Sequence, residues 1–301
     1  MNVVVAIVVT YNRCELLREC IEHLKKSEYP TDILIVDNAS TDGTAQMVSE
    51  YVNNTDVFYA NTGANIGGAG GFNYGIKRAY EMGYEYFWLM DDDTMVNPDS
   101  LTTLLDTVSK CGNDFGFISS MALWTDGSPC YMNYHDISTQ WSIDKKLLQD
   151  GIIRISAATF VSFFTRREVV ESVGLPIKEY FIWGDDTEYS LRISKHFPCY
   201  LNANSTVMHK MKENQATFQF YEIQDAARVE RMWYSIRNDC CTSRRRGFGS
   251  ILIYTCGIAK KTMQVLIHKN PYKGKKLRVL AGGYFNGLFF RPPVEQVGKR
   301  E

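Results

Sequence analysis

The sequence predicts an α/β protein: a mostly parallel central sheet flanked by helices, with a C-terminal helical segment after it. Three observations lead there. Between residues 3 and 90, short β-branched or aromatic runs alternate with helix-like stretches. Such an alternation builds a parallel sheet, because each crossover helix returns the chain to the same edge. Polar residues sit where the strand-like runs end, at Thr10, Asp37, Asn61 and Asp91, and open α/β sheets bind ligands beyond the carboxyl ends of their strands. From about residue 222 the strand signal stops, and three helix-like stretches with basic faces follow.

The elements read in order as follows. Residues 3–10, VVVAIVVT, form a buried strand by their β-branched density. Leu16, Leu17, Cys20, Ile21 and Leu24 then share one helical stripe. DILIVD (32–37) is the second strand, NASTDG a turn, and a helix runs through Met47, Val48 and Tyr51. DVFYA (56–60) is the third strand, followed by a glycine-rich loop and a helix to about Met82. YEYFWLM (84–90) is the fourth, ending at Asp91, Asp92 and Asp93. FGFISSMAL (115–123) is a further strand, and residues 124–150 are loop-rich with Trp124, Tyr131, Tyr134 and Trp141. TRREVVESVG (165–174) reads as a short helix with a capping box from Thr165 to Glu168 and Gly174 at its end. DDTEYSLRISKH (185–196) is another helix. The expected division is 1–225 and 226–301.

Composition narrows the function. The chain has 301 residues, 45% hydrophobic and 22% charged, as a soluble globular protein does. Its net charge of −1 hides an asymmetry: residues 240–301 carry 13 Lys and Arg against Glu295 and Glu301, so that segment is +11 and the rest −12. An acidic body suits cation chemistry and a basic tail an anionic partner, with no overall bias toward nucleic acid. The eight cysteines form no CxxC pair and read as reduced thiols. The N-terminus reads as a strand, not a signal peptide, and no run reaches the roughly 18 apolar residues of a membrane span. The expected location is cytoplasmic.

Three acidic residues in a row need neutralising. In an extended segment residues i and i+2 point the same way, so Asp91 and Asp93 would face one ligand and Asp92 another direction. A hard divalent cation would fit them; a solvated acidic turn before Pro98 fits as well. NTGANIGGAGGFNYG (61–75) lets backbone approach a ligand, with free helix N–H groups behind it for an anion; it equally suits a tight packing turn. It is no dinucleotide fingerprint, since the first strand–helix turn, TYNRCE, has no glycine, and no GxxxxGK[ST] loop exists. Asp185 and Asp186 open a helix, where the macrodipole favours acids and where one of them could serve as general base. His209 reads as a structural residue or a ligand.

The order of these motifs resembles the inverting family 2 glycosyltransferases of GT-A fold: VVTYNR, VDNASTDGT, the glycine-rich loop, DDD, WGDDTEY, and then a histidine. Residues 3–240 carry the resemblance. NIGGAGGF with WLMDDD and WGDDTEY is most similar to bacterial galactofuranosyltransferases and to rhamnosyltransferases, and WYSIRND (233–239) to the segment that follows their catalytic domain. Gly184 between Trp183 and the acid pair departs from that pattern. The resemblance implies a nucleotide-sugar donor held by Thr10, Asn12, Arg13, Asp37, Asn65, Gly68, Gly70 and Asp92. It implies Mn²⁺ or Mg²⁺ on Asp91, Asp93 and His209, and a catalytic base at Asp186 assisted by Asp185. A glycan or lipid-linked glycan acceptor would meet Trp183 and Trp124. UDP-galactofuranose is the first donor expected and dTDP-rhamnose the second. A metal-dependent phosphohydrolase would leave Asp37 and the glycines unexplained, and a non-catalytic subunit of a polysaccharide-assembly complex would not need all the acids. Interleaved basic and apolar residues in the tail suit an anionic membrane surface, at the inner face of the plasma membrane, as a further partner; packing of the apolar residues on the catalytic domain or on a second subunit, with the lysines solvated, fits as well, and a homo-oligomer is left open.

Overall fold

The structure, a computed structural model, describes residues 2–52, 56–214 and 219–298. The chain divides into two compact units, one of Met1–Lys178, Asp186–Asn214 and Val294–Glu301, the other of Glu179–Asp185 and Gln215–Pro293.

The first unit begins with the expected alternation: β1 (Val4–Thr10), α1 (Cys14–Leu24), β2 (Asp32–Asp37), α2 (Thr44–Ser49), β3 (Val57–Asn61), α3 (Gly67–Glu81) and β4 (Tyr86–Asp91). It continues through β5 (Thr94–Val96), α4 (Ser100–Lys110), β6 (Phe117–Leu123), β7 (Asp136–Ile137), α5 (Lys145–Gln149), β8 (Ile152–Ala157), β9 (Phe163–Arg166), α6 (Arg167–Val173), α7 (Asp185–Ser194) and β10 (Cys199–His209). The strands form a sheet in the order β3-β2-β1-β4-β9-β6-β10-β8-β7, with β5 added on β10. β3, β2, β1 and β4 are mutually parallel. The remainder is mixed: β9 runs antiparallel between β4 and β6, and β10 is parallel to β6 but antiparallel to β8 and β5. This is a GT-A-like arrangement, less uniformly parallel than the strand–helix alternation implies.

Alternation along β1 places both cores. Val4, Ala6 and Val8 face α1, α2 and α4, while Val5, Ile7 and Val9 face α3, α6 and α7. The glycines of α3 explain how closely that helix sits. A Cβ on Gly71 would lie 2.5 Å from Val9 Cγ1, and one on Gly75 2.5 Å from Ile7 Cγ2. Much of the expected glycine-rich loop is therefore the first turns of a helix pressed onto β1.

Two local expectations differ from the structure. Thr165 does not cap a helix: it lies in β9 and donates to the Gly116 carbonyl, and α6 starts after Arg166 without a side-chain cap. The pull of a buried strand between β4 and β6 outweighs a local capping signal. The three aspartates are also not extended. The chain turns at Asp92 and Asp93 so that β5 can double back against β10.

The second unit holds α8 (Ala226–Arg246), α9 (Phe248–Ile267) and α10 (Lys273–Phe289), with their own small core around Val229, Ile236, Ile258, Val265 and Leu280. Three helices were expected here. The basic face was not found on α9, whose outward side is apolar.

Candidate active site

Strand register assembles the site. Thr10 pairs with Asp37 and Asp37 with Asn61, so the last residues of β1, β2 and β3 stand in one row, and Asp91 pairs with Val9 beside them. β10 brings in the distant member. A bulge between Asn202 and Thr206 bends this strand, and its last residue, His209, pairs with Thr94 directly after the aspartates.

The acid cluster is largely neutralised by its own protein. Arg13 Nη1 donates to Asp92 at 3.1 Å and to Asp93 at 2.6 Å, Thr10 Oγ1 donates to Asp92 at 2.7 Å, and His209 Nε2 lies 3.0 Å from the other Asp93 oxygen. Asp92 therefore does not point away from Asp93, because the turn lets Arg13 bridge both. His209 is oriented from behind: Nδ1 is 2.7 Å from Asn133 Oδ1, and Asn133 Nδ2 donates to Thr159 at 2.8 Å, which sets the amide's orientation. Burial opposes charge on His209, but the bond to Asp93 prevails and lifts its pKa to about 10. Burial also works to raise Asp93, and His209 and Arg13 overcome it, holding that carboxyl below its usual range. Burial takes Asp92 up to about 6.

Asp91 is the exception. Among the described residues no side chain or backbone group donates a hydrogen bond to its carboxylate, and burial followed by repulsion from Asp93 pushes it up to about 8. Two cations thus serve three carboxylates. No three His, Cys, Asp or Glu side chains converge to hold a metal among the described residues, since Asp93 and His209 close on each other instead.

Neighbouring loops are tied to one another. Asn12, at φ 53°, takes the Thr41 N–H at 2.7 Å on its side chain and gives its own N–H to Ser40 Oγ at 2.8 Å. Asp37 is fully buried, with one oxygen on the Ser40 N–H and the other on the Tyr59 hydroxyl at 2.6 Å, so it orders this loop. Asn65 accepts from the Gly67 N–H at 2.9 Å, at the start of α3. A Cβ on Gly68 would meet open space, whereas one on Gly70 would strike Ile66 at 2.9 Å. Of the two glycines, only Gly68 offers a bare backbone to a ligand. Trp124 Nε1 donates to the Met211 carbonyl at 2.9 Å just past β10, and from this anchor Tyr131, Tyr134 and Trp141 extend into solvent.

Asp186 lies in the first turn of α7. Its Oδ1 accepts from the Thr187 N–H at 2.6 Å and the Thr187 hydroxyl at 3.3 Å, and burial raises its pKa. Trp183 and Asp185 belong to the second unit, in a loop whose backbone is strained: Phe181, Trp183 and Gly184 have φ of 65°, 64° and 81°. Left-handed aromatics cost energy and persist only where they are held. Asn238 holds them. Fully buried on α8, its amide nitrogen lies 2.9, 3.1 and 2.8 Å from the carbonyls of Tyr180, Ile182 and Trp183. Arg237 adds a bond to the Glu179 carbonyl at 2.7 Å. Asn238→Ala takes the Asn238 donor from the Ile182 and Trp183 carbonyls, while the Tyr180 carbonyl keeps the Ile182 N–H and Arg237, and should destabilise the protein by about 1–3 kcal/mol. Urea unfolding checks this through a lowered midpoint at unchanged slope.

Asn133, Tyr59 and Asn238 were not singled out from sequence. Asn238 lies within WYSIRND, so that motif had a signal without a role. Asn133 sits in an irregular loop and has none.

The family model described as Glycosyl transferase family 2 matches residues 5–173. Galactofuranosyltransferase GlfT1 of Mycolicibacterium smegmatis is 26% identical over 210 residues, 64% of this chain and 65% of that protein. The chain thus spans slightly less than two thirds of this curated relative. Among solved structures, GalNAc-T7 with UDP, GalNAc and Mn²⁺ superposes with a TM-score of 0.61 at 16% identity, covering 91% of this chain and 53% of that one. The mannosyltransferase PcManGT from Pyrobaculum calidifontis, in complex with GDP-Man and Mn²⁺, gives 0.55 at 15% identity over 95% of this chain and 87% of that one. At such identities these likenesses bear on the fold.

Proposed function

The chain belongs to glycosyl transferase family 2, and from that premise we propose that it is an inverting, metal-dependent glycosyltransferase that moves a sugar from a nucleotide donor to a glycan or lipid-linked glycan. The observation that carries this reading is the single hydrogen-bonded chain Thr10–Asp92–Arg13–Asp93–His209–Asn133 at the carboxyl edge of the parallel strands.

The residues suit a divalent cation by their chemistry. Asp91 is a half-buried carboxylate without a hydrogen-bond donor among the described residues, and the buried Asp93 supplies a second hard oxygen. With its pKa lifted to about 10, His209 gives its Nε2 proton to Asp93 and its Nδ1 proton to Asn133; a cation would have to displace the Nε2 proton, while Asn133 keeps the one on Nδ1. Asp91, Asp93 and His209 would hold Mn²⁺ or Mg²⁺, which when bound neutralises the donor diphosphate as a Lewis acid. Arg13, half exposed, keeps Asp92 and Asp93 in place and turns its outer edge to solvent. Asn12, Asp37, Asn65 and Gly68 shape the donor cradle, Asp37 through the loop it orders and Gly70 through the packing of Ile66. Asp186 takes the proton of the acceptor hydroxyl as that oxygen attacks the anomeric carbon opposite the diphosphate. Its raised pKa makes it a stronger base than a surface aspartate. Asp185 assists it, and Trp183 and Trp124 offer aromatic surfaces to the acceptor.

Asn133 is a positioning residue for His209. Asn133→Ala should weaken Mn²⁺ binding by about 10–100-fold, read by calorimetry, because such partners orient a ligand's ring. Unchanged affinity would remove His209 from the metal's ligands.

UDP-galactofuranose is the first donor to test, supported by the 26% identity to a galactofuranosyltransferase, and dTDP-rhamnose the second. A screen of UDP- and dTDP-sugars with Mn²⁺, followed by NMR of the new linkage, tests the whole reading. Transfer with inverted anomeric configuration supports it. A retained configuration rejects single displacement, and no turnover of any nucleotide-sugar favours a non-catalytic subunit.

A further inference from the structure

Helix α9 is apolar on both sides. Ile258 and Val265 bury its inner side in the three-helix core, beside Tyr254, whose hydroxyl donates to the Ile236 carbonyl at 2.9 Å. Its outer side would be polar in an ordinary surface helix. Instead Phe248, Leu252, Ile253, Met263, Leu266 and Ile267 are 48–82% exposed. Their spacing, with Cys256 and Ala259 between, puts them on one continuous stripe. At 1.5 Å per residue the stripe runs along a helix of about 30 Å. Monomeric soluble proteins rarely show water an apolar surface of this extent.

The charge around it has one sign. Residues 243–293 contain 11 Lys and Arg and no Asp or Glu. Several of these side chains are used within the unit: Lys276 is buried on the Tyr221 carbonyl, Lys275 pairs with Glu230, and Arg244 and Arg245 bond backbone near Pro292. Arg246, Lys260 and Lys269 remain exposed at the start, the middle and the end of the apolar stripe. No helix among the described residues is long and apolar enough to cross a membrane. A helix with exposed large apolar side chains, one exposed cation within it, one just beyond each end and no spanning capacity matches the physics of an in-plane membrane helix.

We propose that the outer face of α9 docks on an anionic lipid bilayer. The helix lies in the interface, with Phe248, Ile253 and Ile267 in the acyl boundary and Arg246, Lys260 and Lys269 at the headgroups. This deepens the transferase reading by naming the surface on which a lipid-linked acceptor would be met, and it rests on that reading only for the acceptor. Occupancy by a second copy of this chain would bury the same side chains, but it gives no reason for the run of uncompensated cations.

The native thiol of Cys256, the one exposed cysteine, lies on this face and can carry an environment-sensitive fluorophore. The full chain is mixed with vesicles of phosphatidylcholine, or of phosphatidylcholine with about one-third phosphatidylglycerol, at low and high salt. The expected result is flotation with the anionic vesicles, a blue-shifted emission, and weakening by salt. Ile253→Glu with Ile267→Glu changes two exposed side chains and should reduce partitioning about tenfold or more. Arg246→Glu with Lys260→Glu and Lys269→Glu should abolish the preference for anionic lipid. Both variants should keep the Mn²⁺-dependent thermal shift with UDP, and that shift tests the transferase reading separately. Absence of flotation with every vesicle overturns the proposal. So does a lipid-free dimer in sedimentation velocity that Ile253→Glu with Ile267→Glu dissociates, since the face would then belong to a second copy.

Discussion

Asp186→Asn should lower kcat by about 10²–10⁴-fold and leave the affinity for the nucleotide unchanged. The substitution is nearly isosteric, so what it removes is proton affinity. The wild-type carboxylate sits in the first turn of α7, bonded to the N–H and hydroxyl of Thr187, with burial raising its pKa. The amide oxygen of the substituted side chain can accept the same two bonds, and the helix start should survive. Steady-state kinetics against donor and acceptor, with UDP binding by calorimetry, separates the loss of a base from the loss of a site. Asp185→Asn should cost less, because the proposed reaction gives the proton to Asp186 and an assisting role to Asp185. A larger loss from Asp185→Asn would exchange the two roles.

Asp91→Ala and Asp93→Ala should each abolish the thermal shift expected from UDP with Mn²⁺ and cost about 10²–10³-fold or more in turnover, the effect also expected of EDTA on the wild type. Full turnover in EDTA would sink the metal assignment. The two variants should differ in stability without metal. Asp93 anchors Arg13 and His209, and its pKa is depressed, so its contribution is present above the unfolded carboxylate range and disappears as pH falls through the folded value. Asp93→Ala should therefore lower Tm at neutral pH. Asp91 has the opposite sign. Its pKa rises from 3.8 to about 8, so its contribution is favourable only at low pH and is lost as pH rises through that window. Asp91→Ala should raise Tm at alkaline pH. A metal-free wild type no less stable than Asp91→Ala there would show that Asp91 is not the uncompensated charge of the cluster.

The sequence by itself determined the parallel half of the sheet and the residues at its edge. β1 to β4 and the helices between them follow from runs of contiguous residues, because burying one face of a strand or helix writes a local period into the chain. Those same periods place Thr10, Asp37, Asn61 and Asp91 at strand ends. The sequence also carried the charge of the tail, since composition needs no fold.

Only the tertiary structure decided the rest. The mixed half depends on which distant strands find each other: β9 enters between β4 and β6 and overrides the capping signal at Thr165. β10 returns His209 to an aspartate 116 positions away in the chain. The turn that joins β4 to β5 exists because β5 pairs with β10, and it puts Asp92 and Asp93 on the same arginine. Asn133 on His209 and Asn238 under the strained loop before α7 are single polar contacts with no period to reveal them. The apolar residues of α9 could be read in the chain, but which of them face inward is set by packing against α8 and α10. A local pattern reports what a segment can bury. Long-range pairing decides what it buries against, and so which charges are left to bind something else.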